Sequence, residues 1–210
     1  MTIFRIQPVL VWLFPQIIWN KPKAQDNVYL TFDDGPDNDF TPEILNILQK
    51  HTVQATFFVL GNKAQQNPGL MRQIQKNHVI GIHSYDHRRL VFRSTDYLYD
   101  QLSKSKQIVR KIIEQPVRYF RPPYGIFSPR LLKVCYQLNL TPILWSIMSY
   151  DFDKNISDNT ILNQIKTNVT NGDIIVFHDG HPNSCRTIRI LEPIIKILQE
   201  NGFKLSSVDK

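Results

Sequence analysis

Val28-Tyr29-Leu30-Thr31-Phe32-Asp33-Asp34-Gly35-Pro36 is the stretch on which the reading of this 210-residue chain turns. Its first five residues are β-branched, aromatic or aliphatic and predict a strand over 28–32, because such side chains fit a pleated surface. Their nearly continuous apolar character, without polar alternation, belongs to a strand covered on both faces, as in parallel sheets flanked by helices. The run stops at two carboxylates and a Gly-Pro turn. Neighbouring side chains at a strand end point in different directions, so Asp33 and Asp34 can hold different tasks. One can bind a cation while the other takes a proton from a bound water, its ionisation favoured by the nearby positive charge. By themselves the same residues also make an ordinary turn with solvent-exposed acids.

Outward from this stretch, short apolar runs at 55–59, 79–82, 141–145 and 173–177 read as further strands. Helix signals lie between them: Thr41 as N-cap with Pro42 at the first helical position, Ser128 followed by Pro129 in the same arrangement, and Thr95-Asp96 opening a periodic stretch to Glu114. A last helix is predicted over about 186–201, ending at Gly202. The alternation implies a parallel α/β sheet or barrel. The acidic pair follows the first strand, His83 and His87 follow the third, and His178 ends a late one. In parallel α/β folds ligands bind at the C-terminal ends of the strands, so these groups converge on one rim. We read a single domain over 28–210, with 1–27 as a peripheral segment packed on it.

With 42% apolar and 20% charged residues, the composition is that of a packed domain. The net charge of +7 permits attraction to polyanions. The longest basic cluster, Lys104, Lys106, Arg110 and Lys111, is spaced as a solvated helix face, and no nucleic-acid motif accompanies it, so nucleic acid is not an expected partner. Cys135 and Cys185 form no CxxC pair and suggest neither a disulfide scaffold nor a zinc ribbon; Cys135 reads as a buried helix residue. The apolar stretch 8–19 is too short to span a bilayer. It contains Pro8 and Pro15 and is followed by Asn20-Lys21-Pro22-Lys23 rather than a small-residue cleavage site, so a peripheral element is expected and a leader or anchor is the alternative. The compartment stays open.

Three further motifs carry chemistry. His83-Ser84-Tyr85-Asp86-His87 places two imidazoles four apart, able to chelate one ion from a helix face or a tight loop. Joined by the Asp34 carboxylate, they form a two-histidine, one-carboxylate set suited to zinc or another divalent transition metal with open positions. Arg121-Pro122-Pro123-Tyr124-Gly125 is a stiff loop, because each proline fixes its own φ and restricts the residue before it. It can aim the Arg121 guanidinium at Asp33 and a backbone N–H near Tyr124 at an oxyanion. In Phe177-His178-Asp179 the imidazole suits a general acid for a leaving amine or alcohol if a carboxylate orients it, and Asp151 is the candidate. His181, in the segment 180–185, reads as a loop residue, with substrate contact as the alternative.

Taken in order, T-F-D-D-G-P, H-S-x-x-H, R-P-P-Y-G, W-S followed by D-F, and F-H-D resemble the polysaccharide deacetylases, the NodB-like enzymes of carbohydrate esterase family four. The resemblance spans nearly the whole chain from Val28 onward. It implies a distorted (β/α) barrel with about seven parallel strands, hydrolysing N-acetyl or O-acetyl groups of a carbohydrate such as an N-acetylglucosamine polymer or oligomer. A divalent metal is implied, zinc first, with cobalt or another transition metal as alternatives. By motif, Asp33 is similar to the base, Asp34, His83 and His87 to the metal ligands, and His178 to the acid. Arg121 resembles the partner of the base and Asp151 the residue that tunes the acid. Tyr124, Pro123, Trp145 and Phe152 are the expected substrate-binding residues. The implied partner is an acetylated carbohydrate; separately, the short apolar stretch predicts no stable membrane span, and a monomer is expected. The alternative reading is a non-catalytic carbohydrate-binding protein on the same fold. That normally requires a missing ligand, base or acid, and none is missing here. Phe152 stands where Trp is usual and Val176 where Leu is usual; both keep an apolar wall and bear on pocket shape.

Overall fold

The structure is a computed structural model and describes residue 5, residues 8–23 and residues 26–210. In chain order its elements are α1 (Pro8–Leu13), β1 (Asn27–Asp33), α2 (Thr41–Lys50), β2 (Thr56–Val59), α3 (Gly61–Gln66), α4 (Pro68–Gln75), β3 (Val79–Ile82), α5 (Thr95–Ile113), β4 (Tyr119–Phe120), α6 (Pro129–Gln137), β5 (Thr141–Pro142), β6 (Ile147–Met148), α7 (Asp158–Asn168), β7 (Ile174–His178), α8 (Ser184–Glu200) and β8 (Lys204–Ser206). Seven strands follow the order β5-β4-β3-β2-β1-β7-β6 and β8 pairs with the first half of β1, every ladder being parallel. The sheet curls into a half-barrel: the βα alternation implies its parallel strands, and the resemblance implies the distorted barrel of about seven of them.

Each side of β1 faces a different environment, which is why the strand is apolar throughout. Val28, Leu30 and Phe32 join the main core beneath the helices, with Phe32 stacked on Phe57 at 4.9 Å and on Phe177 at 5.8 Å between ring centroids. Removing one such ring, as in Phe32→Ala, is expected to cost about 3–5 kcal/mol. On the inner face Tyr29 packs with Phe58, Ile143, Ile174 and Val208. By the period of two, Thr31 and Asp33 share that inner face, and both are buried.

Several local expectations change. Thr41 is not an N-cap: α2 begins at Thr41 and its cap residue, Phe40, makes no side-chain capping bond. The Thr41 hydroxyl is engaged by the buried Asp179 carboxylate at 2.6 Å and accepts from the Asp37 N–H, so it cannot also close the helix end. Ser94, one residue before the predicted start, caps α5, whereas Ser128 caps α6 as its sequence indicates. The strand expected over 141–145 shrinks to β5, because Pro142 has no N–H to donate and the chain beyond it bonds to the N-terminal segment: Leu144 N donates to the Ile18 carbonyl. β4, β6 and β8 were not foreseen, since two or three residues show no period. The last helix starts two residues early and carries Pro193 within it.

Residues 1–4, 6–7 and 24–25 of the predicted peripheral segment lie outside the described residues. Of the remainder, Ile17 and Trp19 are buried with Leu144. Ile18 bridges to Ile143 and Asn20 to Asp173, so this stretch runs from the residue after β5 to the residue before β7. Among the described residues no helix is long and apolar enough to cross a membrane. Cys135 is buried in α6, where desolvation pushes its thiol up to about 12, and Cys185 is exposed.

Candidate active site

Two interlocked strand ends build the rim. Asp33 ends β1 and His178 ends β7, and the ladder makes them Cα partners. The Asp179 N–H donates to the Asp33 carbonyl at 3.0 Å. Gly35 abuts the Asp179 carboxylate and Gly180 abuts the Asp34 carbonyl so closely that neither position has room for a Cβ. Burial pushes the Asp179 carboxyl up to about 7. Lys63, donating to the Gly180 carbonyl at 2.9 Å, ties α3 to the same turn.

Asp34, His83 and His87 form the candidate metal centre, their ligand atoms all within 4.8 Å of one another. Both histidines lie in the loop after β3, where Ser84 and His87 have φ of 67° and 61°; this excludes the helix-face arrangement. The His83 and His87 Nε2 atoms stand 3.6 and 3.2 Å from Asp34 Oδ1. His83 Nδ1 faces the Arg121 carbonyl at 2.7 Å. A carbonyl only accepts, so Nδ1 carries the hydrogen and Nε2 presents its lone pair to the site. Burial takes His83 down to about 3, keeping it a neutral ligand. Asp34 Oδ1 is buried without a hydrogen-bond partner. Such an oxygen is costly unless a cation satisfies it, so the donor set fits a divalent metal.

Asp33 is bound to a fully buried Arg121, whose Nη1 donates to Asp33 Oδ1 at 2.7 Å and to Thr31 Oγ1 at 2.8 Å. Its Nε and Nη2 donate to the carbonyls of Ile143 and Leu144, and the guanidinium lies 4.1 Å from the centre of the Phe58 ring. Burial raises the Asp33 carboxyl above its ordinary value, and Arg121 offsets only part of that rise.

On the other side, His178 Nδ1 meets Asp151 Oδ1 at 2.8 Å. Asp151 also accepts from the Ser149 hydroxyl, the Thr187 hydroxyl and the His178 N–H. Burial works to raise the Asp151 carboxyl, but the His178 charge and these bonds outweigh it and hold it below its usual value. Burial likewise works to lower His178, and the charge and hydrogen bond of Asp151, with the charges of Asp34 and Asp33, overcome it and raise the imidazole to about 9.

Asp33, Asp34, His83, His87 and His178 line a cavity of about 290 Å³ together with Tyr124, Trp145, Met148, Phe152 and His181. Tyr124 has φ 61° and its ring is 4.6 Å from that of His87. Within its loop, the Gly125 and Ile126 N–H groups bond back to Pro122 and Pro123. Pro123 is buried and does not line the cavity. Met148 was missed because it lies in a two-residue strand. Thr31 shares the Asp33 face at a spacing of two, a signal that was legible. Thr187, which braces Asp151 from α8, had none. A larger hollow of about 350 Å³ near His78, Arg118 and Lys210 lies at the other end of the strands. Among the described residues only the Asp34 group gathers three metal-ligating side chains.

A sequence model described as polysaccharide deacetylase matches residues 20–143. The chain is 34% identical over 194 residues to a chitooligosaccharide deacetylase of Azorhizobium caulinodans, covering 86% of this chain and 92% of that protein. It is 31% identical over 196 residues to a peptidoglycan-N-acetylglucosamine deacetylase of Bacillus cereus, covering 92% of each. Among solved structures, it superposes on the Bc1960 peptidoglycan N-acetylglucosamine deacetylase with a TM-score of 0.88 at 32% identity, over 94% of both chains. It also superposes on a CE4 family pseudoenzyme from Bacillus anthracis with a TM-score of 0.84 at 29% identity, over 92% of this chain and 67% of that one.

Proposed function

Because this chain belongs to the polysaccharide deacetylase family, we propose that the groups on its rim carry out metal-dependent hydrolysis of an acetyl group on a carbohydrate, in the following roles. Asp34, His83 and His87 hold the cation, Asp33 is the base, His178 the acid, and Arg121 and Asp151 fix and tune them. The observation that carries the reading is that Asp33, Asp34, His83, His87 and His178 line one cavity, with Asp33 bound to the buried Arg121 and His178 to the buried Asp151.

When bound, the cation supplies a Lewis acid and a water of lowered pKa. Asp33 accepts the proton of the attacking water, whose oxygen bonds to the acetyl carbonyl carbon. Arg121 holds the Asp33 carboxylate in place from within the barrel. The N–H of Tyr124, which donates to no backbone carbonyl among the described residues, is the donor assigned to the oxyanion, in the manner of other acyl-transfer sites. His178, its Nδ1 hydrogen held by Asp151, gives the Nε2 proton to the leaving nitrogen or oxygen as the carbon–heteroatom bond breaks. Acetate and a sugar amine or alcohol leave. Trp145, Met148 and Phe152 supply the apolar wall.

The two-nitrogen, one-oxygen donor set favours zinc, with cobalt as the first substitute. The relatives named above favour an N-acetylglucosamine oligomer or polymer. We assign catalysis to residues 28–210 of a monomer, with 1–27 as the peripheral segment. The test is acetate release from N-acetylglucosamine oligomers, peptidoglycan and acetylated xylan, before and after chelation and with zinc or cobalt restored. Metal-dependent release establishes the activity and picks the substrate. Metal binding without release from any of them overturns it in favour of a carbohydrate-binding protein, the reading that a pseudoenzyme of the same fold brings forward.

A further inference from the structure

The cavity holds a histidine to which the roles above assign nothing. His181 lines it beside the proposed acid, with ring centroids 6.1 Å from His178 and 6.0 Å from Phe152. Resting on the deacetylase reading, we propose that His181 is a substrate-binding residue that donates a hydrogen bond from Nε2 to an oxygen of the sugar near the acetylated position.

Its ring is held in one tautomer. The Asn183 backbone N–H points at His181 Nδ1 from 3.1 Å. A backbone N–H only donates, so Nδ1 is the bare nitrogen and the hydrogen sits on Nε2. Protonation would set donor against donor at Nδ1 and lose that bond. Burial, then the neighbouring His178 charge, lower His181 further. The two adjacent imidazoles therefore take opposite states, His178 cationic and His181 neutral. Among the described residues no protein group meets His181 Nε2.

The ring is also fixed in place. Asn183 Nδ2 donates to the Phe152 carbonyl at 2.7 Å, anchoring the loop to the cavity wall. The His181 N–H donates to Ser184 Oγ, and that hydroxyl donates to the His178 carbonyl at 2.8 Å. A donor immobilised before substrate arrives loses little entropy on binding. Its place follows from the chemistry of its neighbour: His178 serves the leaving atom, which is attached to the sugar. A group one ring further along the same wall meets hydroxyl or glycosidic oxygens rather than the acetyl methyl.

The experiment measures steady-state acetate release by the zinc-loaded protein from the β-1,4-linked N-acetylglucosamine tetramer, for the unaltered chain, His181→Phe and His181→Gln. In His181→Phe, KM is expected to rise roughly three- to tenfold, the usual worth of one neutral hydrogen bond, with kcat within about twofold and zinc content unchanged. His181→Gln keeps an N–H donor and recovers part of the KM. An unchanged KM in His181→Phe overturns the proposal. So does a fall in kcat at constant KM, which would make His181 a brace for His178. Absence of acetate release by the unaltered, zinc-loaded chain from every substrate above overturns the deacetylase reading itself, and the two failures are thereby distinguished.

Discussion

Asp33 and His178 are Cα partners at the ends of two neighbouring parallel strands, and each is bound to an opposite charge of its own: Arg121 at 2.7 Å and Asp151 at 2.8 Å. Burial and the paired charges act on both groups. Burial moves Asp33 upward from the ordinary carboxylate value, while Asp151 and the other carboxylates carry His178 to about 9. Below about 9 the acid keeps its proton, which is the state in which the proposed hydrolysis needs it.

Asp33→Asn removes the proton acceptor and keeps the shape. Acetate release is expected to fall at least about 100-fold, the scale of a lost general base, with zinc still bound at one equivalent. Retention of most of the activity would remove Asp33 from the role of base.

The pH profile should show its alkaline limb near the His178 value. His178 is raised, so its proton is held below that value and lost as pH climbs through about 9; activity falls there. Asp151→Asn withdraws a charge that raises His178, so the limb moves down toward the unperturbed value of about 6.5. A limb at the same pH in both proteins would detach it from His178.

His87→Ala takes away one of three ligands. The unaltered protein is expected to gain thermal stability with added zinc, by about 2.7 kcal/mol at a hundredfold excess over Kd. In the variant that gain disappears, whether or not any substrate is turned over. Scanning calorimetry with and without zinc reads it directly; equal gains in both proteins would place the cation elsewhere.

Arg121→Met leaves Asp33 buried without its partner and the Ile143 and Leu144 carbonyls without their donors. Breaking a buried pair from one side typically costs about 3–5 kcal/mol, which urea unfolding would measure. Arg121→Lys is expected to recover little, because an ammonium cannot reproduce the planar fork of donors. A loss under about 1 kcal/mol would show that water reaches the carboxylate once the guanidinium is gone.

What the chain reveals unaided is uneven for a physical reason. Strand β1, with its unbroken apolar run, and helix α6, with Ser128 and Pro129 at its start, are legible because local chemistry and tertiary structure ask for the same thing there. At Thr41 they conflict: capping chemistry points to an N-cap, but a carboxylate 138 positions away engages the hydroxyl.

From the sequence alone come the residue types, their order, and the placement of Asp33, Asp34, His83, His87 and His178 just beyond strand ends, which suffices for a parallel α/β fold and a shared rim. Only the tertiary structure decides that the histidine pair sits in a loop, that Pro123 is buried away from the cavity, and that Met148 and His181 line it. Each of these depends on ladder register, left-handed backbone turns and contacts between distant segments. Such contacts form when the sheet curls, and no short window of sequence contains both partners.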